Sequence, residues 1–482
     1  MRKESFEAGV GIRVGQILLP LEWGDGNDTA SAAEEDRDSP SSAATPTGER
    51  KPKKRKWYSL YDKVYAPKNL KLAWEHVRSN KGAPGCDGQT LDQFEEHLDA
   101  HLESLHRELK EKRYRPRPVR RVYIPKSGGG QRPLGIPTVR DRIVQQAVLQ
   151  ILGPIFEEKF SRRSHGFRPG RGCQTALYVI DQALRNGYEW AVDADIQKFF
   201  DTVDHELLLD AVHEEVSDGS VLRLLRMFLE SGVLLGSGDF EPTEVGTPQG
   251  GPISPLLANI YLHRFDEAME GAKFGLVRYA DDFVILTKSR ERAEEALELA
   301  GEVLLGLKLH LHPEKTRIAA INEGFDFLGY RYFRDQSGKL QKVVSRKAVG
   351  RFRDAIRKRT PRHGGQKRRK AKHCTLQRLR RSQSLCRTIE DVNRYLEGWL
   401  GYFRGVRTSF GDCFQKLDGF VRRRLRSQIA GRYAKGRWHR ILGNEKLAAL
   451  GLLELAVHGP APRPLGLRAS PTTGDPSPPN SG

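Results

Sequence analysis

The sequence predicts an α+β fold, in which an antiparallel sheet is backed by helices. Two observations predict this class. Segments with helical periodicity alternate along the chain with short apolar strands, and the strands come in pairs around tight turns. The chain has 482 residues, which leaves room for two to four domains with a sizeable buried core.

Helices and strands are predicted from the spacing of apolar residues and from the residues that end each segment. Pro116 and Pro118 end the second helix, and the glycine run 128–130 is typical of a hairpin turn. Ser254 is expected to cap a helix that Pro255 begins. The predicted helices cover residues 71–79, 91–110, 141–150, 175–185, 206–216, 256–269 and 291–305. The predicted strands cover residues 119–124, 132–136, 190–195, 276–280 and 283–287.

The two ends of the chain differ in composition from the middle. Residues 1 to about 50 are rich in Gly, Ser, Ala, Asp and Glu and are expected to be disordered. Residues from about 460 to 482 are dense in Pro, Ser, Gly and Thr and are expected to form a flexible tail. The folded body is therefore expected between about Trp57 and His458.

Positive charge is concentrated in the C-terminal third of the chain. The formal net charge is +20 and the pI is about 9.7. Residues 346–381 contain sixteen Lys or Arg and one acid, and residues 421–440 contain eight Lys or Arg and no acid. These clusters favour a polyanionic partner, nucleic acid first and an acidic membrane surface second. The alternative is a solvated, partly disordered charge run.

Several other classes are disfavoured by the sequence. No apolar stretch approaches the roughly 18 residues that a membrane span requires. The N-terminus has no apolar core followed by a small-residue cleavage site, so secretion is not expected. Five cysteines are scattered without a C-x-x-C pair, which argues against a zinc site and against a disulfide framework. We therefore expect a cytoplasmic protein with reduced thiols.

The strongest local signal is a pair of acids between two apolar strands, in the segment RYADDFVIL at 278–286. Side chains alternate between the faces of a strand, so Asp281 and Asp282 converge only if the backbone turns between them, as it does in a hairpin. Two carboxylates held together repel each other unless a divalent cation neutralises them. The alternative is an ordinary acidic β-turn.

A second acid-bearing strand strengthens this interpretation. The segment WAVDADI at 190–196 again places acids among apolar residues. A period of two puts Asp193 and Asp195 on one face, so the pattern by itself does not choose between them. Two strands with metal-binding carboxylates are typical of a two-metal phosphoryl-transfer site. One ion would lower the pKa of an attacking 3′-hydroxyl, and the other would bind a triphosphate and stabilise the leaving pyrophosphate.

Tyr279-Ala280-Asp281-Asp282 between apolar strands resembles the signature of reverse transcriptases. The resemblance implies an RNA-directed DNA polymerase that uses two Mg²⁺ ions. The segment DIQKFFD at 195–201 resembles the family's first acidic element, which makes Asp195 the third metal ligand beside Asp281 and Asp282 and leaves Asp193 a structural neighbour. The resemblance also makes Phe200 the aromatic residue that excludes a ribose 2′-hydroxyl. A core aromatic is the alternative for Phe200.

Other segments resemble the nucleotide-binding elements of the same family. The segment GTPQGGPISP at 246–255 resembles the glycine-rich element that lines the template and nucleotide pocket, where Gln249 can form a hydrogen bond. On the hairpin, Lys126 and Arg132 would face the triphosphate, with ordinary surface residues as the alternative. Lys315 resembles the lysine that lies near the departing pyrophosphate.

The closest resemblance is to bacterial group II intron-encoded reverse transcriptase/maturases. Segments 57–94, 164–173 and 395–403 resemble the N-terminal extension, the connection between fingers and palm, and the helical thumb of that family. The resemblance implies a right-hand polymerase followed by an all-helical domain. The expected parts are a disordered extension 1–56, fingers and palm 57–344, a helical thumb/maturase domain 345–445, and a C-terminal segment with a flexible tail 446–482.

In that family the thumb domain binds the intron RNA and the RNA–DNA duplex. The expected partners are therefore group II intron RNA, an RNA template with a DNA primer, target DNA and dNTPs, without a membrane. The residues expected to contact RNA are basic and lie in the two clusters: Arg357, Lys358, Arg359, Lys367, Arg368, Arg369, Lys370, Arg422, Arg423 and Arg424. After Gly443 the sequence has neither paired cysteines nor a His-Asn cluster, so we expect no HNH endonuclease and a primer from elsewhere.

Two alternatives stand beside this interpretation. In the first, the polymerase fold is only a scaffold of a non-enzymatic, RNA-binding splicing factor; the intact acids argue against it. In the second, the chain is the reverse transcriptase of a retron or of a diversity-generating element. The N-terminal extension and the long basic thumb argue against the second alternative.

Overall fold

The computed structural model describes residues 56–125, 130–247, 250–361, 375–406, 411–430 and 437–458. These residues belong to two compact units, which divide between Leu328 and Gly329. We call the part up to Leu328 the N-terminal unit and the part from Gly329 onward the C-terminal unit. The predicted disordered extension and most of the predicted flexible tail lie outside the described residues, and the predicted domain boundaries stay a prediction.

The N-terminal unit alternates helices with short strands. Its helices are α1 (Tyr61–Tyr65), α2 (Pro67–Asn80), α3 (Leu91–Glu95), α4 (Leu98–Lys110), α5 (Val139–Glu157), α6 (Cys173–Arg185), α7 (Phe199–Thr202), α8 (His205–His213), α9 (Gly219–Leu229), α10 (Ser254–Gly271) and α11 (Arg290–Gly306). Its strands are β1 (Val119–Pro125), β2 (Gln131–Ile136), β3 (Trp190–Asp195), β4 (Val233–Leu234), β5 (Phe240–Glu241), β6 (Gly275–Tyr279), β7 (Asp282–Thr287), β8 (Arg317–Ala320) and β9 (Phe325–Phe327). The predicted alternation of helices and strands is confirmed.

One sheet holds both acid-bearing strands. Its order is β6-β7-β3-β8, and all three pairings are antiparallel, as predicted. Helices α6, α10 and α11 contact this sheet. On α11 the buried residues are Ala293, Ala296, Ala300 and Leu304, a stripe with helical spacing whose small side chains let the helix lie close to the strands. The sheet is therefore backed by helices.

A second sheet of the same unit has the order β2-β1-β4-β5. The predicted hairpin between β1 and β2 is confirmed, with Ile124 opposite Arg132, while β1 and β4 pair in parallel. Helix α5, which follows β2 in the sequence, extends over nineteen residues and contacts α2. It is longer than predicted because its buried apolar positions continue to Phe156 past Pro154.

Several local predictions were wrong or incomplete, and strands β4, β5, β8 and β9 were not predicted. The single helix predicted over 91–110 is two helices, since His97 leaves helical geometry between them with φ −129°. Ser254 is not the cap of α10 but its first residue, and Ile253 occupies the cap position. Helix α9 was not predicted, although its buried residues follow helical spacing after an Asp218 cap.

The C-terminal unit begins with a hairpin and continues with helices. The hairpin pairs β10 (Tyr330–Arg334) with β11 (Leu340–Val344). The described helices that follow are α12 (Arg346–Arg359), α13 (Leu376–Arg380), α14 (Gln383–Tyr402), α15 (Gly411–Ala430), α16 (Arg437–Ile441), α17 (Asn444–Ala449) and α18 (Leu455–His458). Trp399 packs in the core against Phe352 and Phe403. The described elements after 345 are all helical.

Two further findings concern the described residues. The structure contains, among the helices it describes, none that is both long enough and apolar enough to cross a membrane. The four described cysteines, Cys86, Cys173, Cys386 and Cys413, are free thiols.

Candidate active site

The catalytic hairpin, as we call β6, β7 and the two residues between them, carries two of the predicted acids. Tyr279 pairs with Asp282, so the loop consists of Ala280 and Asp281 alone. The φ of Ala280 is +59°, whereas the φ of Asp281 is not positive. A positive φ at the first loop position only is the pattern of a type II′ turn. Glycine is usual at the first loop position because an L-residue there is strained, so other contacts must hold Ala280 in place.

A buried ion pair supplies these contacts. The Arg278 guanidinium is fully buried and binds both carboxylate oxygens of Asp266 from Nε and Nη2. Its Nη1 donates to the Ala280 carbonyl oxygen at 3.0 Å and to Asn259 Oδ1 at 3.1 Å. A buried charge pair is tolerated only when its remaining polar atoms are also bonded. Arg278 meets that condition by fixing the loop that carries Asp281.

Strand β3 lies directly beside the catalytic hairpin. In the antiparallel register Asp195 stands opposite Asp282, and Asp193 stands opposite Val284. Asp195 receives a hydrogen bond from Lys315, while Asp193 forms an ion pair with Arg317 at 3.5 Å. The sequence left the choice between the two acids open on spacing alone. The register brings Asp195, at the end of the strand, next to the hairpin acids.

Burial and neighbouring negative charge raise the pKa of two of the acids, Asp281 and Asp282. The pKa of Asp282 is raised to about 7, first because surrounding protein atoms desolvate its carboxylate, and then by the negative charges of Asp281, Asp195 and Asp193. Burial also raises the pKa of Asp281, and the charge of Asp195 adds to this effect. Like charges are held together here at a free-energy cost, which is the usual mark of a site for a cation.

The donor set fits divalent metal ions of the hard type. Asp195, Asp281 and Asp282 offer carboxylate oxygens on two paired strands, the ligand type that Mg²⁺ prefers. Among the described residues, no three His, Cys, Asp or Glu side chains already form a group that would hold a metal ion. The carboxylate of Asp195 is instead bound to Lys315, whose ammonium group supplies positive charge beside the acids.

The structure describes two of the four basic or polar residues that were predicted to bind the nucleotide. Arg132 lies on β2, exposed, and its positive charge lowers the pKa of Asp281 against the larger raising effects. Lys315 is exposed beside Asp195. Lys126 and Gln249 lie outside the described residues. The structure thus brings Arg132 and Lys315 to the acids.

Phe200 is 8% exposed and packs edge-on against Phe199 at 5.1 Å between ring centroids. Its carbonyl oxygen accepts a hydrogen bond from the Thr247 backbone N–H at 2.8 Å. Gly246, with φ +91°, approaches this carbonyl so closely that a Cβ atom would lie 2.9 Å from it. The glycine-rich element is therefore attached to the backbone of Phe200, and only a small part of the ring is accessible.

Several residues that shape the site were not predicted. Asp266 and Asn259 lie on buried positions of α10 and bind Arg278. Gly166 lies against the backbone of Ala280, and its carbonyl accepts a hydrogen bond from Asn259 Nδ2 at 2.9 Å. A sequence signal existed for Arg278 and Asp266. Each is a charged residue at a position where the spacing of apolar residues predicts an apolar one, Arg278 in a strand and Asp266 in a helix. Gly166 lies in segment 164–173, whose resemblance to the connection between fingers and palm gave no sign of its contact with Ala280.

The basic residues predicted to contact RNA lie in different environments. Arg357, Lys358 and Arg423 are exposed, and Arg357 forms an ion pair with Asp354. The remaining described members have internal partners: Arg359 pairs with Asp391 at 3.5 Å, Arg422 pairs with Glu454 at 2.9 Å, and the buried Arg424 donates to the Thr360 carbonyl and hydroxyl oxygens. Lys367, Arg368, Arg369 and Lys370 lie outside the described residues.

Carboxylates on two neighbouring strands of a helix-backed antiparallel sheet are typical of the palm of a nucleotidyl-transferring polymerase. Residues 124–332 match the family described as reverse transcriptase (RNA-dependent DNA polymerase), and residues 366–445 match the group II intron maturase-specific domain. The chain belongs to the group II intron reverse transcriptase/maturase family. It is thus an RNA-directed DNA polymerase by class, and this family as a whole uses divalent metal ions and binds intron RNA.

Individual relatives cover different shares of the chain. Protein YkfC of Escherichia coli (strain K12) is 38% identical over 315 residues, 57% of this chain and 82% of that protein. The group II intron-encoded protein LtrA of Lactococcus lactis subsp. cremoris is 34% identical over 351 residues, 59% of this chain and 58% of that protein. A putative COX1/OXI3 intron 1 protein of Saccharomyces cerevisiae is 36% identical over 203 residues, 42% of this chain and 24% of that protein. The chain thus spans less than two thirds of the length of LtrA and of the yeast protein.

Among solved structures, a chain of a partial Cas6-RT-Cas1–Cas2 complex matches with 27% identity, over 52% of this chain and 43% of its own length. The TM-score of this match is 0.34.

Proposed function

We propose that this chain adds dNTPs to the 3′-hydroxyl of a DNA primer on an RNA template, with Asp195, Asp281 and Asp282 as the metal ligands. One observation carries the proposal. The antiparallel register sets Asp195 opposite Asp282, and the two-residue turn sets Asp281 next to it. Three carboxylates are thereby held at the same end of the sheet. The raised pKa values of Asp281 and Asp282 are what a site built for positive charge should have.

Two Mg²⁺ ions are the cofactor that we propose for these acids. Bound there, they would lower the pKa of the primer 3′-hydroxyl and neutralise the charge that develops on the pyrophosphate. Lys315 shares the neighbourhood of Asp195, so its ammonium group is placed to approach a phosphate. Arg132 offers a guanidinium for a second phosphate contact. We assign Lys126 and Gln249 to the nucleotide as well, on the family resemblance.

Phe200 is proposed to limit the space beside the sugar of the incoming nucleotide. A ribose 2′-hydroxyl would have to enter against the accessible part of its ring. The ring is held by Phe199, and its backbone is held by Thr247, so the side chain has little freedom to withdraw.

We further propose that the C-terminal unit binds group II intron RNA and assists its splicing and mobility, with target DNA as a later substrate. Its exposed basic residues would contact phosphates without reading a sequence. We propose the cytoplasm as the place of action.

Primer extension on an RNA template with Mg²⁺ and dNTPs tests the polymerase proposal. We expect Asp281→Asn and Asp195→Asn to lower the extension rate by at least about a thousandfold, since each change removes a ligand to the ions. Asp193→Asn is the matched control. It lies two residues from Asp195 on the same strand but is bound to Arg317, so it should retain most activity.

Full extension by Asp281→Asn would remove the proposed mechanism. Tight intron-RNA binding by a wild-type protein that incorporates no nucleotide would favour a non-enzymatic splicing factor instead.

A further inference from the structure

A short segment packed against the catalytic hairpin presents a single aromatic side chain to solvent. We call residues 163–168 the bracing segment. Ser164 pairs in parallel with Arg278 at the outer edge of β6, through hydrogen bonds from the His165 N–H to the Arg278 carbonyl and from the Arg278 N–H to the Arg163 carbonyl, both 2.9 Å. The bracing segment therefore extends the sheet of the acids by one short strand.

Both sides of Phe167 are fixed. On one side, Gly166 lies so close to the hairpin that a Cβ atom would be 2.4 Å from the Ala280 backbone nitrogen. On the other side, Arg168 is buried and donates to the Ser161 carbonyl at 2.6 Å and the Ser164 carbonyl at 2.8 Å. Arg168 also forms an ion pair with Glu157 at 2.9 Å. The backbone at Phe167 has little freedom to adjust.

Phe167 itself is both strained and exposed. Its φ is +57°, a left-handed conformation that is sterically unfavourable for an L-residue other than Asn or Asp. Its side chain is 54% exposed, so burial of the ring does not offset this cost. Strain that persists without a packing benefit is a mark of a functional position.

The position of the ring indicates what it contacts. Its centroid lies 6.4 Å from that of Tyr279, the residue that pairs with Asp282 in the catalytic hairpin. An exposed aromatic ring is a stacking surface for a nucleotide, and base–aromatic stacking does not depend on sequence. The strand whose end must meet the acids is the primer.

We infer that Phe167 is a primer-binding residue, whose ring packs on a nucleotide at or next to the primer 3′ end. The inference rests on the proposed polymerase function. Phe167 would then help to hold the 3′-hydroxyl at the acids, and the bracing segment would link primer position to the backbone of Ala280.

Primer–template affinity and crosslinking test the inference on the full chain. We expect Phe167→Ala to raise the Kd for a primer–template duplex about 5- to 100-fold, the range measured for removal of one stacked aromatic. Phe167→Trp should restore most of the affinity. The matched control is Phe240→Ala, which removes an equally exposed ring (57%) from β5 in the other sheet and should leave Kd unchanged.

A photoreactive benzoylphenylalanine in place of Phe167 should crosslink to the primer strand within about two nucleotides of its 3′ end. A crosslink to the template strand only, or an unchanged Kd for Phe167→Ala, would overturn the inference.

Phe167→Gly separates binding from folding. Glycine accepts the positive φ, so this variant should melt at the same temperature as the wild type or higher, and yet bind primer–template as weakly as Phe167→Ala. Normal affinity in the glycine variant would show that the ring has no role in binding. The Asp281→Asn variant distinguishes the two proposals. If Asp281→Asn loses primer extension while Phe167→Ala binds primer–template normally, the polymerase proposal stands. Only the inference about Phe167 is then removed.

Discussion

Arg278 illustrates how one residue can determine the geometry of the site. It occupies a strand whose other central positions are apolar, and its side chain is fully buried. Two bonds to Asp266 neutralise it, and one bond to Ala280 holds the strained turn. The pair therefore links a helix of the core to the loop that carries Asp281.

Replacing Arg278 should have two effects that can be measured separately: a loss of folding stability and a loss of primer extension. Arg278→Met leaves Asp266 buried without its partner, and we expect the free energy of unfolding in urea to fall by about 3–5 kcal/mol. Adding Asp266→Leu should recover much of that stability. Primer extension should stay low in the double variant, because Ala280 still lacks its donor.

The exposed pair Arg226–Glu206 provides the control. Arg226→Met should change the free energy of unfolding by less than about 1 kcal/mol. Full polymerase activity in the Arg278→Met, Asp266→Leu protein would show that the bond to Ala280 has no role in the site.

At the scale of elements, the catalytic hairpin is positioned by what packs on it from outside. Both ends of strand β3 were predicted correctly, at residues 190 and 195, because polar residues flank its mostly apolar run. The hairpin turn was predicted from its two acids. The contact between the bracing segment and Ala280 was not predicted, because it depends on a close approach of two backbones that lie more than a hundred residues apart in sequence.

We expect that any side chain at position 166 disturbs the site, because the backbone of Gly166 lies directly against that of Ala280. Gly166→Ala places a Cβ atom 2.4 Å from a backbone nitrogen, so the hairpin or the bracing segment must move. We expect a decrease of about 1–3 kcal/mol in stability and a reduced extension rate. Thermal melting and primer extension measure the two effects.

Gly172→Ala serves as the control in the same stretch of chain, because nothing lies within 4 Å of a Cβ atom at Gly172 and its φ of 176° suits any residue. Equal behaviour of the two alanine variants would contradict the tight approach of Gly166 to the hairpin.

At the scale of the whole molecule, charge is the feature that most clearly separates the two units. The net charge of +20 arises largely from basic residues of the C-terminal third. Their contribution is not uniform, since Lys358 and Arg423 are exposed while Arg424 is buried against Thr360. We expect only the exposed residues to neutralise phosphates directly.

RNA affinity as a function of salt concentration measures that difference. Removing one basic side chain that binds a phosphate should reduce the slope of log K against log salt by about 0.7–1. We expect this reduction for Lys358→Gln and for Arg423→Gln. For Arg424→Gln we expect a lower melting temperature and an unchanged slope; a reduced slope with normal melting would instead place Arg424 among the residues that bind RNA directly.

The sequence by itself determined the class of fold, three of the four strands of the acid-bearing sheet and the positions of its acids, because acids between apolar strands and long helical periodicities are local patterns. It also determined the family, through ordered motifs of the polymerase and the maturase domain. Only the tertiary structure placed Asp195 rather than Asp193 opposite Asp282, paired Arg278 with Asp266, and set the strained Phe167 beside Tyr279. Strand register and close backbone packing decide these contacts, and both depend on residues far apart in the chain, which no local pattern records.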